Sequence, residues 1–256
     1  MESDRKGYPL MNKKILVTRP LDSVDEFVKL LEKEKAIPVI FPTIETVPCE
    51  LKEDDLKKIR SIDSYDVIIF TSARGVDFFF RILESLGLTY PPGKVTFAIG
   101  PATKRKLEEY KVEGVNIPEE YVAEGILELL DDVGDKRILI PRALRAREVL
   151  PVELKKRKAI VDVIPIYDTV TKRYSSLPDF FSLDVLTFTS PSTFKAFVEI
   201  VGDEAARKLL SSKIVASIGP ITSKAIRDYG FHVQIESKVH TVEGLVRAIR
   251  DYFSSF

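Results

Sequence analysis

The chain repeats itself, and the repeat limits what it can fold into more than any other feature does. Ala98-Ile99-Gly100-Pro101-Ala102-Thr103 returns as Ser217-Ile218-Gly219-Pro220-Ile221-Thr222. Each copy closes an apolar run (95–99 or 214–218) and opens a charged, helix-forming run that ends at Tyr110 or Tyr229. That pattern reads as strand, tight turn, helix. Gly offers the dihedral freedom and the close approach a sharp turn needs, and Pro suits the first helical position, where its missing N–H is no loss. The Thr falls in the first turn, beside free N–H groups. A helix start built this way attracts anions. The match extends further. Asp66 and Ser72 recur as Asp184 and Ser190, Tyr110 and Gly125 as Tyr229 and Gly244, and Ile15, Arg19, Ala36 and Pro42 as Ile138, Arg142, Ala159 and Pro165. One α/β unit of about five strands is therefore written twice.

Order along the chain constrains how the copies are assembled. Short apolar runs bounded by turn residues predict strands at 14–18, 36–41, 66–71, 95–99, 115–118, 137–141, 159–165, 184–189, 214–218 and 233–235. Amphipathic or capped runs predict helices after Ser23 (capping-box spacing to Glu26), then at 51–62, 72–86, 104–110, 123–130, 145–157, 191–201, 220–229 and 241–253. Strands alternating with helices mean a parallel sheet covered on both faces. Each copy also holds an extended segment, one around 42–47 kept from being helix by Pro38, Pro42 and Pro48, the other at 166–170. Two tandem domains would place these segments inside each domain, where long connections are uncommon. The favoured alternative makes both segments crossings. One domain is then 13–41 plus 171–256, the other 46–165, with 42–45 and 166–170 as linker strands that can pair as a small ladder and 1–12 as a flexible tail. A cleft between two such lobes is where ligand sites concentrate.

Composition excludes several function classes. Lys plus Arg equals Asp plus Glu, 39 each, which argues against a nucleic-acid role but leaves room for a small anion held by a local patch. The single cysteine, Cys49, cannot form an internal disulfide, which suggests a reducing, cytoplasmic setting. No export signal is read at 1–12, and no apolar run approaches the roughly 20 residues of a membrane span. His232 and His240 flank a predicted strand without ligand spacing, so no metal is expected. The Lys104-Arg105-Lys106 run reads as a solvated helix face, and Phe78-Phe79-Phe80 as mostly core.

A further set of stretches carries a family resemblance. They are Ile15-Leu16-Val17-Thr18-Arg19-Pro20, Ile69-Phe70-Thr71-Ser72, Ala123-Glu124-Gly125, Pro165-Ile166-Tyr167, Phe188-Thr189-Ser190-Pro191-Ser192 and His240-Thr241-Val242-Glu243-Gly244-Leu245, together with the two Gly-Pro turns. In this order they resemble the uroporphyrinogen-III synthase family over nearly the whole chain. Arg74 and Ser223 depart from it, standing where the family often has a polar amide and a small apolar residue. The resemblance implies two similar flavodoxin-like lobes joined by a two-stranded linker. It implies a lyase that closes hydroxymethylbilane, a linear tetrapyrrole with eight carboxylates, into uroporphyrinogen III with inversion of the last ring and loss of water. It implies no cofactor, no nucleic-acid or membrane partner, and a transient contact with the enzyme that makes hydroxymethylbilane.

On that reading the protein must fold the substrate so that inverted attack wins, a proximity effect, and one acid would help the hydroxyl leave. Tyr167 resembles the family's cleft tyrosine, and a phenol keeps its proton at neutral pH and can donate it. Thr71, Ser72, Thr103, Ser190, Ser192 and Thr222 would bind carboxylates with the backbone around Gly100, Pro101, Ala102 and Gly219, although Ser and Thr at such positions also serve as plain helix caps. Arg19 and Arg142 end equivalent strands, where α/β sites lie, and their forks suit carboxylates. Three competing readings stay open: a pure scaffold, in which the twin anion-ready turns would be idle, a non-catalytic two-lobed anion-binding protein, and a flavodoxin-like electron carrier. The last is disfavoured because Thr18-Arg19-Pro20-Leu21-Asp22 offers no Gly-containing phosphate loop.

Overall fold

Each four-residue apolar run closed by Thr, Ser or Gly forms a strand, and the polar run behind it forms a helix. In the computed structural model, which describes residues 7–130 and 132–255, the order is β1 (Lys14–Val17), α1 (Asp25–Lys33), β2 (Ile37–Ile40), β3 (Ile44–Pro48), α2 (Glu53–Arg60), β4 (Val67–Phe70), α3 (Ala73–Ser85), β5 (Val95–Ala98), α4 (Pro101–Glu109) and α5 (Ala123–Leu129). It continues with β6 (Arg137–Ala143), α6 (Val149–Lys156), β7 (Ile160–Thr171), β8 (Val185–Phe188), α7 (Pro191–Val201), α8 (Asp203–Ser212), β9 (Ile214–Ser217), α9 (Pro220–Asp228), β10 (Ile235–Glu236) and α10 (Val242–Ser254). The chain divides into a discontinuous unit, Met1–Glu45 with Val170–Phe256, and a continuous unit, Thr46–Thr169.

The discontinuous unit holds a sheet in the order β10-β9-β8-β1-β2, all neighbours parallel. The other sheet runs β3-β7-β6-β4-β5, with β7, β6, β4 and β5 parallel. Both sheets are buried on two faces because strand side chains alternate sides. In the continuous unit Ile68 and Phe70 enter one apolar cluster with Phe79 and Leu139, while Val67 and Ile69 enter another with Ile126 and Ile140. In the discontinuous unit Leu16 and Phe188 share a cluster with Phe194 and Phe197, while Ile15 and Val17 pack with Phe27 and Leu245.

The sequence repeat reappears as matched contacts. Asp66 accepts from the Arg137 N–H through Oδ2 at 2.8 Å, and Asp184 accepts from Lys14 N–H through Oδ2 at the same distance. Each aspartate thus sets the register at the start of one neighbouring strand pair. Ser72 caps α3 by accepting from Gly75 N–H (2.9 Å), and Ser190 caps α7 by accepting from Thr193 N–H (3.1 Å). The glycines match too. A Cβ on Gly100 would lie 3.3 Å from the Tyr121 side chain, and one on Gly219 would lie 2.6 Å from the His240 ring. A Cβ on Gly125 or Gly244 would strike a backbone carbonyl, that of Glu120 at 2.4 Å or of Val239 at 2.1 Å.

Several expectations need correction. Gly100 and Gly219 are both in extended backbone that any residue adopts (φ −177° and 165°); their glycine is required by close approach alone. The expected tail holds Leu10, fully buried against the α1 and α10 side of its sheet, and Asn12 N–H bonds Lys35 O; residues 1–6 lie outside the described residues. Ser23 does not cap α1: its hydroxyl bonds Pro20 O inside a short 3-10 turn. The helix expected over 145–157 begins only at Val149, since 144–148 forms a loop held by side chains. A helix missed in the sequence, α8, starts behind Gly202, whose φ of 81° lets the chain turn sharply out of α7. The expected strand at 115–118 reduces to a single bridge, Asn116 to Phe97. Residues 159–165 and 166–170, read as separate segments, belong to one long strand, β7.

Candidate functional site

Parallel strands bring their C-terminal ends to one edge, where loops can surround a ligand. In the continuous unit this edge gathers Thr71 and Ser72 after β4, Gly100 and Pro101 after β5, and Arg142 at the end of β6. A register shift between Arg142 and Ala143 lets β7 run past β6, so that Ala143 pairs with Tyr167 and Leu144 N–H bonds Tyr167 O at 2.8 Å. The shift puts the Tyr167 ring beside the start of α3. Its Oη lies 2.8 Å from Ser72 Oγ, and its ring stacks on Phe78 at 5.3 Å. Ser72 is thereby shared between a backbone cap and a phenol. Its oxygen accepts from Gly75 N–H, and its own proton is free to go to Tyr167 Oη, which would leave the phenol proton available to a third group.

Arg142 is 5% exposed and internally engaged. Its guanidinium donates from Nη1 to Arg147 O (2.7 Å) and from Nη2 to the Glu148 carboxylate. It therefore holds the 144–148 loop as well as facing a cavity of about 250 Å³, which Thr71, Ile99, Tyr121 and Arg147 also line. Gly100 is buried while Pro101 and Ala102 are exposed, so the first turn of α4 opens to solvent at its backbone; Thr103 is only 3% exposed and sits beneath that turn. A larger cavity of about 1130 Å³ lies elsewhere in the unit, among Leu88, Pro92, Val95 and Tyr110, and none of the expected site residues lines it.

The discontinuous unit repeats the edge with different furniture. Arg19 follows β1 and donates from Nε to Ser23 O at 2.9 Å. Ser190 and Ser192 bond each other at 2.9 Å at the start of α7. Gly219 opens α9 beneath the His240 ring, and Thr222, like Thr103, is 3% exposed. No helix among the described residues is long and apolar enough to cross a membrane.

Comparison with known proteins decides the family. The sequence model described as HEM4, uroporphyrinogen-III synthase HemD, matches residues 25–247. The chain belongs to the uroporphyrinogen-III synthase family. A Methanocaldococcus jannaschii protein provisionally named uroporphyrinogen-III synthase is 35% identical over 247 residues, covering 93% of this chain and 98% of that protein. The uroporphyrinogen-III synthase of Synechococcus elongatus is 28% identical over 259 residues, 95% of this chain and 97% of its own. The solved uroporphyrinogen-III synthetase of Helicobacter pylori 26695 has a TM-score of 0.61 at 19% identity, covering 94% of this chain and all of that one; this likeness concerns the fold.

As a uroporphyrinogen-III synthase family member, the chain is an enzyme of the lyase class that cyclises hydroxymethylbilane. Its departures from the family pattern now have positions. Ser223 is fully buried and bonds Ser217 Oγ at 2.6 Å, so its hydroxyl is engaged inside the unit rather than presented at the surface. Arg74 is half-buried in the first turn of α3. Sequence reading passed over Tyr121, Arg145 and Arg147. Tyr121 was findable, because the same repeat that pairs Gly100 with Gly219 pairs it with His240. The two arginines fell in the first part of the predicted 145–157 helix, which the chain forms as a loop.

Proposed function

We propose that this chain closes hydroxymethylbilane at the strand-end edge of its continuous unit, with Tyr167 as the proton donor. The Ser72–Tyr167 hydrogen bond carries this reading. In the proposed step Tyr167 gives its proton to the terminal hydroxyl, which leaves as water. The electron-rich pyrrole supplies the electron pair, forming an azafulvene cation. The substituted ring carbon of the last pyrrole then attacks this cation to form a spiro intermediate. Its older bond to the neighbouring methylene bridge breaks to give a second azafulvene cation. The turned ring closes on that cation through its free α-carbon, and the proton lost from that carbon returns the phenolate to phenol. Ser72 donates to the oxygen throughout and so steadies the phenolate. Thr71, Arg142 and the backbone of Gly100, Pro101 and Ala102 bind carboxylates in this unit. Arg19, Ser190, Ser192, Gly219 and Thr222 do so in the other, with the helix N-termini contributing backbone donors. Thr103 and Thr222 reach a substrate only if the first helical turn shifts, because both are buried.

We read each unit as a flavodoxin-like lobe, 13–41 with 171–256 and 46–165. The order β2-β1-β8-β9-β10 follows the 2-1-3-4-5 pattern. The order β7-β6-β4-β5 follows its first four places if the chain is entered at β6. The protein is read as cytoplasmic and free of cofactors, and as receiving its labile substrate by transient contact with the enzyme that makes it. The test is direct: freshly generated hydroxymethylbilane is supplied to the purified chain and the uroporphyrinogen isomers are separated. Isomer III above the spontaneous background supports the reading. Isomer I alone, or a ligand recovered chemically unchanged, favours a binding protein instead.

A further inference from the structure

The cavity of about 250 Å³ beside Arg142 has a composition that selects its occupant. Ile99, Ile140 and Leu150 supply apolar walls, and the Tyr121 ring, packed over Gly100, closes one side. Two arginines, Arg142 and Arg147, line it, and among the described residues no carboxylate does. The cavity sits between β6 and β4, where connections leave the sheet in opposite directions, a usual place for ligands in open α/β sheets. Its volume falls below the roughly 300–1,000 Å³ of sites that enclose a whole drug-sized ligand. It is too small for a tetrapyrrole and large enough for one arm of it.

The two arginines differ in freedom. Arg142 is locked from below, as described. The Arg147 side chain is 73% exposed and reaches Glu124 at 3.5 Å, a long contact at the mouth of the cavity. An exposed pair of that kind contributes little to stability and exchanges readily. Arg145 lies 3.4 Å from Asp168, whose side chain is only 11% exposed, so that tie is the firmer one. The Arg147 end of the 144–148 loop is thus held by a charge that another anion can replace.

We propose that this cavity is the subsite for one acetate or propionate arm of the substrate, and that Arg147 captures it by leaving Glu124 for the incoming carboxylate. The methylene stem lies against Ile99 and Leu150, and the head meets Arg147 at the mouth, with Arg142 beneath. This rests on the proposed function and assigns to it two residues, Arg147 and Tyr121, and an internal competitor, Glu124. The competitor makes the proposal specific: removing Arg147 must weaken binding, whereas neutralising Glu124 must strengthen it.

The experiment measures kcat and KM with hydroxymethylbilane, the isomer ratio, and thermal melting for Arg147→Gln, Arg147→Lys and Glu124→Gln. Loss of one charge-assisted contact raises KM about tenfold in Arg147→Gln. The loss falls on KM rather than kcat, the product stays isomer III, and Arg147→Lys recovers part of the loss. Glu124→Gln lowers KM severalfold. All three melt near the wild type, because the pair is exposed. If the wild type makes isomer III but neither Arg147→Gln nor Glu124→Gln moves KM, the subsite is wrong while the function stands. KM rising in both variants makes the pair a structural tie and also overturns the subsite. If the wild type makes no isomer III, function and subsite fall together.

Discussion

Replacing Tyr167 by Phe removes one oxygen and nothing else, and the structure sets what that oxygen is worth under two different roles. If its role is structural, the loss is the hydrogen bond to Ser72 Oγ at 2.8 Å. Ser72 keeps its bond from Gly75 N–H, and the ring keeps its stacking on Phe78. A neutral hydrogen bond of this kind contributes about 1 kcal/mol, so melting should fall by about 2–4 °C in a chain of this size. If its role is chemical, the variant loses the proton donor, and general-acid contributions of about 10²–10⁴ in rate dwarf the structural effect. Tyr167→Phe is therefore expected to melt within a few degrees of the wild type and to turn over at least about a hundredfold more slowly. The assay pairs thermal melting with initial rates of isomer III formation on fresh substrate. A rate within twofold of the wild type, beside the small stability loss, would make Tyr167 a packing residue and sink the proposed mechanism.

Other consequences are independent of that one. Ser72→Ala loses both the α3 cap, worth about 1 kcal/mol, and the partner of Tyr167. It should slow turnover less than Tyr167→Phe does, and equal rates in Ser72→Ala and wild type would remove Ser72 from the mechanism. Gly244→Ala drives a methyl to 2.1 Å from Val239 O. Chemical denaturation should show a loss of about 3 kcal/mol or more, in the range that strained or overpacked sites reach, and a near-native midpoint would mean the 237–241 loop yields freely. Ser223→Ala leaves activity unchanged within twofold; a large drop would bring that buried hydroxyl back into the site. Burial, then the bond to Asp162, pushes the Tyr65 phenol well above its usual range, and burial does the same for Tyr90. Both phenols hold protons more tightly when folded, so their contribution is complete below about pH 10, the unfolded value, and is lost as pH rises beyond it. Stability should fall above about pH 10, less steeply in Tyr65→Phe, and an identical alkaline profile in that variant contradicts the assignment.

Much of the fold was legible because the same pattern is written twice. A single Gly-Pro turn between an apolar and a charged run is weak; two of them, with Asp66/Asp184 and Ser72/Ser190 at matching distances, fix strand ends and helix starts together. What stayed hidden has local causes. Helix propensity across 145–157 is genuine, but Arg142, Arg145, Arg147 and Glu148 find ionic partners that hold 144–148 as a loop, and pairing of that sort is set by tertiary neighbours. The α8 helix follows a glycine at positive φ, which reads equally as a loop. Of the candidate site, Ser72 and Tyr167 could be named from sequence but not joined, because the register shift at Arg142 that brings them together has no sequence mark. Thr103 and Thr222 show the opposite failure: their position in the first helical turn was right, and their burial beneath it was invisible.

In the proposed mechanism the tetrapyrrole is held at the strand-end edge around Ser72, Gly100 and Tyr167. Hydrogen–deuterium exchange of the intact chain, with and without uroporphyrinogen III under anaerobic conditions, tests this most directly. Binding there gives new protection in peptides covering 71–76, 99–104 and 142–150, with 84–95 beside the larger cavity unchanged. Protection confined to 84–95, or none at the strand ends at saturating product, would contradict it.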